Sequence, residues 1–212
     1  MEVLRKMADY IAQQKDYSVL VKETAEEVLD NGSKAQTEDE RTLNVRRPDM
    51  LFSKIRSAEN NRNFFFNKGA ATAVDYGTQS YSELKMPSTI DGMLDELSKK
   101  YGFSMLLGDL LYTDAYPRLS SSIESAEYVG MSEEPANCHH LAFSQEAVDW
   151  EIWIDAGEKP LPRKLLVTYK ALEGSPRYEA DIRKWDSAAN PDGVFTPKIP
   201  ESMKKIDVAP AD

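Results

Sequence analysis

The chain has 212 residues, of which 41% are hydrophobic, and its 36 acidic residues against 26 basic ones give a formal net charge of −10. This acidic excess repels phosphate backbones and therefore disfavours nucleic acid as a partner. No apolar run approaches the roughly 18 residues that a membrane-spanning helix needs, so we expect no membrane span. Cys138 is the single cysteine, which excludes an intrachain disulfide.

The N-terminal part predicts one helix and then a meander of strands. A helical stripe of apolar residues predicts a helix over about residues 2–15. Two strands follow, at about 17–29 and 34–47, joined by the turn Asp30-Asn31-Gly32 and ended by Pro48. Each is about 13 residues long, against a usual five or six. Strands of this length twist and coil, which favours a curved sheet or partial barrel.

The middle of the chain continues the meander of strands, and its apolar residues then change from the spacing of a strand to that of a helix. Short turn signals separate strands predicted at about 50–57, 63–66, 70–76 and 79–84. Ser88 with Asp91 three residues later resembles a capping box, and an apolar helical face follows until Gly102. A second apolar helical piece is predicted at 105–112. Helices inserted in a meander must bury their apolar stripes, and the concave side of a curled sheet offers the surface.

The C-terminal half returns to a β pattern. Strands are predicted at about 127–129, 137–145, 150–155, 165–170 and 178–185, and the clearest alternation places Trp150, Ile152 and Ile154 on one face. Residues 186–212 are predicted to be mostly irregular, with one short strand near 205–208. The fold class is therefore mainly β (α+β), in a single domain over residues 1–212.

Cys138-His139-His140 is the one segment that suggests catalytic chemistry. In a strand Cys138 and His140 share a face, but two ligands do not make a metal site, and no third group is evident that would orient a base. A buried thiol beside partly exposed imidazoles is the more frequent meaning of such a segment. The chain also has no familiar nucleophile, phosphate-loop, dinucleotide or zinc motif. We therefore expect no catalytic residue, cofactor or metal.

Several segments together resemble a family of predicted periplasmic bacterial proteins of unknown function, which is itself similar to the periplasmic lipoprotein carriers LolA and LolB. The fold of those carriers is an open, incompletely closed antiparallel β-barrel whose helices plug an apolar cavity. The resemblance runs in order over nearly the whole chain. It rests on the segments Asn44 to Asp49, Asp109 to Asp114, Cys138 to Phe143, Asp149 to Ile154 and Pro160 to Leu165.

The resemblance implies a residue that closes the helical lid. An Arg-Pro at the end of a long early strand occurs in LolA, where the arginine bonds to the lid, and Arg47-Pro48 matches it here. Phe195-Thr196-Pro197 is similar to the segment near the carrier's end. Family members are exported, so the resemblance also implies a periplasmic location with the export signal removed from this chain, and the cytosol is the minor alternative.

The leading hypothesis is a binding or carrier protein for a lipid, a lipoprotein acyl chain or another apolar ligand, without catalytic activity. The alternatives are a non-catalytic scaffolding module that binds an envelope protein and has a filled core, and an unrecognised hydrolase or thiol enzyme around Cys138 and His140. A run such as Phe64 to Phe66 more often fills the core of a covered strand, although flexible Met-rich surfaces also suit apolar ligands. The candidate ligand-binding residues are Phe64, Phe66, Met93, Leu97, Leu106, Leu110, Trp150 and Ile152, with Arg47 as the lid latch.

Overall fold

Strands provide most of the regular structure in the computed structural model, which describes residues 1–103 and 107–211. The helices are α1 (Glu2–Gln13), α2 (Ile90–Tyr101) and α3 (Ala115–Ser120), with 3₁₀ helices at Gly108–Leu111 and Asp192–Phe195. The strands are β1 (Asp16–Val28), β2 (Lys34–Arg46), β3 (Met50–Arg56), β4 (Asn61–Asn67), β5 (Ala70–Asp75), β6 (Ser80–Lys85), β7 (Ser125–Ser132), β8 (Cys138–Ser144), β9 (Asp149–Asp155), β10 (Pro162–Thr168), β11 (Arg177–Asp186) and β12 (Lys204–Lys205).

The strands follow the order β12-β6-β5-β4-β3-β2-β1-β11-β10-β9-β8-β7. Short connections make consecutive strands antiparallel from β2 to β6 and from β7 to β11. The order has two ends, at β12 and β7, so the sheet is not closed on itself within the described residues. The predicted class, mainly β with an open antiparallel sheet and few helices, is confirmed.

The chain forms two compact units. Unit 1 contains Met1–Gln13, Val21–Asp39 and Asp114–Arg183, and unit 2 contains Gln14–Leu20, Glu40–Thr113 and Lys184–Asp212. The long strands β1 and β2 therefore contribute residues to both units. Their length of 13 residues each agrees with the length predicted from the sequence.

Unit 1 is built on α1 and the meander from β7 to β11. Of the stripe predicted for α1, Leu4, Met7, Ala8 and Ile11 are buried and Val3 is partly buried, and α1 contacts α3 and β9. Strand β9 alternates as predicted, with buried Trp150, Ile152 and Ile154 between partly or fully exposed neighbours. Helix α3 was not predicted from the sequence.

Unit 2 buries apolar residues on both faces of its strands β3 to β6. On one face Phe65, Val74 and Met203 form a cluster with Phe52, Tyr81 and other partly buried residues. The 3₁₀ helix Asp192–Phe195 contacts β3 and β4, and Phe195 is fully buried. The mostly irregular C-terminal segment therefore covers this face, which leaves the opposite face to α2.

Helix α2 begins and ends close to the predicted positions, but its N-cap differs from the prediction. Thr89, not Ser88, is the N-cap, and its Oγ1 accepts a hydrogen bond from the N–H of Gly92 at 3.1 Å. Asp91 does not complete a capping box because its carboxylate accepts instead from the N–H of Thr113 at 3.2 Å. Gly102 ends the helix in the left-handed conformation, as the sequence predicted.

The second helical piece was predicted at 105–112, and the structure describes only residues 107–112 of it, because residues 104–106 lie outside the described residues. In the described part it is a single 3₁₀ turn, Gly108–Leu111. Leu107 has a φ of 66°, which an α-helix does not allow, so an α-helix does not run through residue 107.

Candidate functional site

Unit 2 contains a cavity of about 360 Å³. Residues of β2 to β6 form its floor, and Leu97, Phe103 and two C-terminal residues, Ile206 and Val208, complete its wall. Its volume falls within the range of roughly 300–1,000 Å³ that is typical of small-molecule sites. The cavity is therefore large enough to hold a ligand.

The register of the strands explains why space is left at this place. Ser53 on β3 pairs with Phe64 on β4, Phe64 pairs with Ala73 on β5, and Ala73 pairs with Ser82 on β6. Directly paired residues point to the same face of a sheet. Three of these four side chains are small, so the row leaves volume beside Phe64 that a row of larger side chains would fill.

A second row on the same face is polar. Ile55 pairs with Arg62, Arg62 with Asp75, and Asp75 with Ser80. Arg62 donates from Nε to Asp75 Oδ2 at 2.9 Å. Hydrogen bonds from the backbone N–H of Thr78, from Arg62 and from Gly77 hold the pKa of the Asp75 carboxyl below its ordinary value, with burial acting in the opposite direction. One side of the cavity is therefore charged.

Arg41 belongs to the same polar part of the cavity. It pairs with Ile55 on β3, lines the cavity and is only 8% exposed. Its Nη1 donates to Ser53 Oγ, itself buried, at 3.1 Å. A guanidinium remains charged when buried, so Arg41 adds a positive charge to the part of the wall that also contains Arg62 and Asp75.

The apolar part of the wall comes from α2 and from exposed side chains around the cavity. Ile90, Met93, Leu94 and Leu97 form the buried stripe of α2, and Leu97 reaches the cavity. Phe103 is 60% exposed and Ile206 is 45% exposed, although both line it. Large apolar side chains that stay exposed around a cavity suit an apolar ligand, which would cover them.

Arg47 contacts the helical insertion, the stretch from Ile90 to Tyr112, as the prediction of a latch requires. Its Nη1 donates to the backbone carbonyl of Leu111 at 2.6 Å. Within the described residues its Nε and Nη2 are buried without a hydrogen-bond partner, and so is the Tyr17 hydroxyl. Burial raises the pKa of Tyr17, and the charge of Arg47 acts in the opposite direction. Arg47 is thus a largely buried charge held by one strong bond, and its role as a latch stays a prediction.

Both ends of the insertion are tied to the same place on the sheet. At its start, the N–H of Ile90 donates to the carbonyl of Pro48 at 2.8 Å. Near its end, Leu111 meets Arg47, and the hydroxyl of Tyr112 donates to Asp95 Oδ1 at 2.9 Å. Ile90 near the start of the insertion and Leu111 near its end are therefore both held by residues 47–48.

The predicted ligand-binding residues fall into different places. Phe64 and Leu97 line the cavity, and Phe66 and Met93 are fully buried in unit 2. Leu110 is buried in the 3₁₀ helix of the same unit, whereas Leu106 lies outside the described residues. Trp150 and Ile152 are buried in β9 of unit 1 and are not among the lining residues of this cavity. The structure thus brings two of the eight into the cavity wall.

The sequence reasoning missed the polar residues Arg41, Ser53 and Ser82, and the apolar residues Phe103, Ile206 and Val208. The signal for Arg41 was its spacing. Arg41, Leu43 and Val45 occupy every second position of β2, so they point to the same face, and all three are buried. The charged neighbours of Arg41 hid this alternation. Ile206 and Val208 lie in the segment predicted as a short strand near 205–208, but the strand β12 spans only Lys204–Lys205. Nothing in the local pattern indicated that this segment pairs with β6 and reaches the cavity.

The Cys138 to His140 segment has the geometry of ordinary packing. Cys138 is fully buried, and burial raises the pKa of its thiol, which disfavours the thiolate that nucleophilic chemistry needs. His140 Nε2 lies 2.6 Å from Glu151 Oε2, and its ring stacks on Trp153 with 4.1 Å between ring centroids. His139 Nδ1 lies 3.0 Å from the hydroxyl of Tyr128.

Two absences in residues 1–103 and 107–211 bear on the class of site. No cluster of three or more His, Cys, Asp or Glu side chains is arranged to hold a metal ion. No helix in this part of the chain combines the length and apolar character needed to cross a membrane.

Comparison with known protein families shows to which family the chain belongs. The family model described as "Predicted periplasmic protein (DUF2092)" matches residues 1–209. The chain belongs to this DUF2092 family. The resemblance inferred from the sequence is therefore confirmed at the level of the family. No match to this chain was found among curated proteins.

Solved structures show which fold this DUF2092 chain has. An uncharacterized conserved protein from Thermus thermophilus is similar with a TM-score of 0.56 and 8% identity, covering 97% of this chain and 96% of that one. A LolA superfamily protein from Nitrosomonas europaea has a TM-score of 0.50 and 11% identity, covering 92% and 96%. At such identities the likeness shows the fold alone. The predicted LolA-like fold is confirmed.

Proposed function

We propose that this protein is a periplasmic binding or carrier protein that holds a lipid, a lipoprotein acyl chain or a similar apolar ligand in the cavity of unit 2. The cavity of about 360 Å³ beneath Leu97 is the observation that carries the proposal. Burying apolar surface there is worth roughly 25 cal/mol per Å², so binding needs no reactive group. The LolA-like fold and the family's description as periplasmic support the same function and location.

The helical insertion is the gate in this proposal. Ligand entry requires Leu97 and the rest of α2 to move away from the floor, and the bond from Arg47 to Leu111 opposes that movement. A ligand that binds only the open or only the closed arrangement shifts the balance between them. Retention of the ligand is therefore set by how strongly residues 47–48 hold the insertion.

A cavity-blocking variant tests the proposal. Ala73 is exposed toward the cavity on β5, whereas Ala70 is exposed on the same strand and points to the opposite face. Ala73→Trp should abolish the fluorescence increase of the neutral apolar probe N-phenyl-1-naphthylamine, because the indole fills the site. Ala70→Trp is the matched control and should bind the probe as the unmodified protein does.

The result that contradicts the proposal is equal probe binding by both variants, or no binding by the unmodified protein. Urea unfolding of each variant shows whether it is folded before its binding is compared.

The scaffolding alternative has one observation in its favour. Strand β7 is at one end of the strand order, and its side chains Tyr128, Val129 and Met131 are each more than half exposed. Edge strands of this kind can pair with a strand of another protein. The alternative also assumed a filled core, and the cavity in unit 2 does not support that part of it.

A further inference from the structure

We infer that the outer edge of strand β7 binds an extended segment of a partner protein in which basic residues alternate with apolar ones. This inference goes beyond the proposed function, because it concerns unit 1 and does not depend on the cavity of unit 2. It rests on the edge position of β7, on its exposed apolar side chains and on the acidic residues around it.

Strand β7 has an edge to which a further strand can pair. It is at one end of the strand order and, among the described strands, pairs with β8 alone. The outer side of an edge strand presents N–H and C=O groups that its own sheet does not use, and an extended segment can bond to them. Strand β7 contains neither lysine nor proline, two residues that commonly prevent such pairing.

The apolar face of the sheet continues onto β7. Tyr128 pairs with Leu141, and Met131 pairs with His139 beyond a bulge between Tyr128 and Gly130. Directly paired residues point to the same face, so Tyr128 and Met131 lie on the face where Leu141 is buried. Both are more than half exposed. Apolar side chains of an added strand would cover them, which is favourable.

Charge determines which segment fits this edge. Residues 119–158, which include β7, β8 and β9, contain nine Asp or Glu and no Lys or Arg. Four of the nine lie in β7 or beside its ends and are exposed, and within the described residues their carboxylates have no hydrogen bond or ion pair: Glu124, Glu127, Glu133 and Glu134. Complementary charge favours association and like charge opposes it. The segment that pairs with β7 is therefore basic.

Glu127 explains why the basic residues alternate with apolar ones. It lies on the face opposite to Tyr128 and pairs with Ala142, which in turn pairs with Glu151. A hollow of about 250 Å³ lies beside these three residues. Glu151 already contacts His140 at 2.6 Å, so Glu127 is the carboxylate that a lysine or arginine of the added strand meets first. The next residue of that strand points to the face of Tyr128, where an apolar side chain fits.

A second copy of this chain fits the edge less well than a basic partner. Two paired β7 strands would bring the same four glutamates together, between two chains that each have a formal net charge of −10. Like charges placed opposite one another on paired strands are destabilising. The inference therefore commits to a different protein as the partner.

Matched peptides separate strand pairing from simple charge attraction. A fluorescently labelled eight-residue peptide of alternating lysine and valine is compared with a peptide that has glutamate for lysine and with one that has proline for a central valine. Fluorescence anisotropy measures binding of each. The basic peptide should bind most tightly. The proline peptide has the same charge and should bind about tenfold more weakly, because proline removes a backbone donor and disrupts the paired strand.

Variants assign the preference to β7. Glu127→Lys should weaken binding of the basic peptide about tenfold, since it replaces an attractive pair of charges by a repulsive one. Glu173→Lys is the matched control, because it makes the same change of net charge at an exposed position between β10 and β11. It should leave binding nearly unchanged. Both variants should bind N-phenyl-1-naphthylamine as the unmodified protein does, because neither residue lines the cavity of unit 2.

Four results would overturn the inference: equal binding of the lysine and glutamate peptides, equal binding of the lysine and proline peptides, a Glu127→Lys variant that keeps its affinity, or a dimer of the unmodified protein that the basic peptide dissociates. The last would show that a second copy occupies the edge. None of them bears on the carrier proposal, which the apolar probe tests separately. If urea unfolding shows that Glu127→Lys does not fold, the ranking of the three peptides on the unmodified protein decides the question.

Discussion

Arg47 and Arg41 show how differently two arginines of one strand region are used. Arg47 lies just beyond β2, and one of its nitrogens bonds to the carbonyl of Leu111, while its other two are buried without partners in the described residues. Arg41 lies within β2 and faces the cavity. Arg47 therefore contacts the insertion, where it is the predicted latch, whereas Arg41 is part of the cavity wall.

Replacing Arg47 tests the latch at the scale of one bond. Arg47→Leu should release N-phenyl-1-naphthylamine to acceptor vesicles about tenfold faster, because a hydrogen bond to a charged group is worth about 1.5–3 kcal/mol and each 1.4 kcal/mol changes a rate tenfold. The free energy of unfolding should change by less than about 1 kcal/mol, since the variant also removes a buried charge with unpaired donors. Stopped-flow transfer and urea unfolding measure the two quantities.

Arg56→Leu is the control for this variant and should release the probe at the unmodified rate. An Arg47→Leu protein with unchanged release would remove Arg47 from the gate.

The ionised carboxylate of Asp16 is expected to stabilise unit 2, and this stabilisation depends on pH in the acid range. Burial alone would raise the pKa of its carboxyl, but hydrogen bonds from Arg46 at 2.7 Å and from the N–H of Asn190 at 3.0 Å outweigh it and hold the pKa below 3.8. A lowered folded-state pKa gives stability that is present above the unfolded pKa and lost as pH falls through the folded one. The stabilisation is therefore present near neutral pH and begins to be lost as pH falls to the ordinary aspartate value of 3.8, with the remainder lost below it.

Asp16→Asn should lower the free energy of unfolding by about 1 kcal/mol at neutral pH and flatten its fall in acid. Urea unfolding between neutral pH and the acid range measures this, with the exposed Asp207→Asn as control. A variant whose stability depends on pH as steeply as that of the unmodified protein would show that Asp16 contributes no linkage.

Sequence reasoning reached some of these residues and not others. Arg47 was found through likeness to a known carrier, not through its own spacing. Arg41 could not be found in that way, and its charged neighbours from Glu38 to Glu40 obscured which face of the predicted strand is buried. Burial of a charge depends on what covers the strand, and that is decided by residues distant in sequence.

At the scale of elements, α2 illustrates what local pattern determines. Its apolar stripe, its stop at Gly102 and its approximate length follow from periodicity and glycine conformation. The choice between Ser88 and Thr89 as N-cap does not, because the hydroxyl of either residue can accept a hydrogen bond from the first turn and only the geometry of that turn separates them. The strands of the meander were similarly placed to within a few residues.

The capping assignment gives a matched pair of variants. Thr89→Ala should reduce the free energy of unfolding by about 1 kcal/mol because the N–H of Gly92 loses its acceptor. Ser88→Ala, at the neighbouring exposed position, should change it by only a few tenths. Urea unfolding followed by circular dichroism compares them, and a larger loss for Ser88→Ala would reverse the assignment.

For the whole molecule, the open β class could be predicted and the strand order could not. Alternation and short turns imply antiparallel neighbours along the chain, and this holds from β2 to β6 and from β7 to β11. The neighbouring positions of β1 and β11 and the parallel pairing of β12 with β6 join segments far apart in sequence. The local sequence pattern does not predict pairings between such distant segments. The C-terminal residues Ile206 and Val208 were therefore not predicted to line the cavity.

The most direct test of the carrier proposal is the native mass of the protein isolated from the periplasm of its own organism, with extracted lipids identified. We expect a stoichiometric adduct of a lipid or a similar apolar ligand, and we expect Ala73→Trp to lose it while Ala70→Trp keeps it. A mass equal to that of the polypeptide alone, found reproducibly for the unmodified protein, would contradict the account.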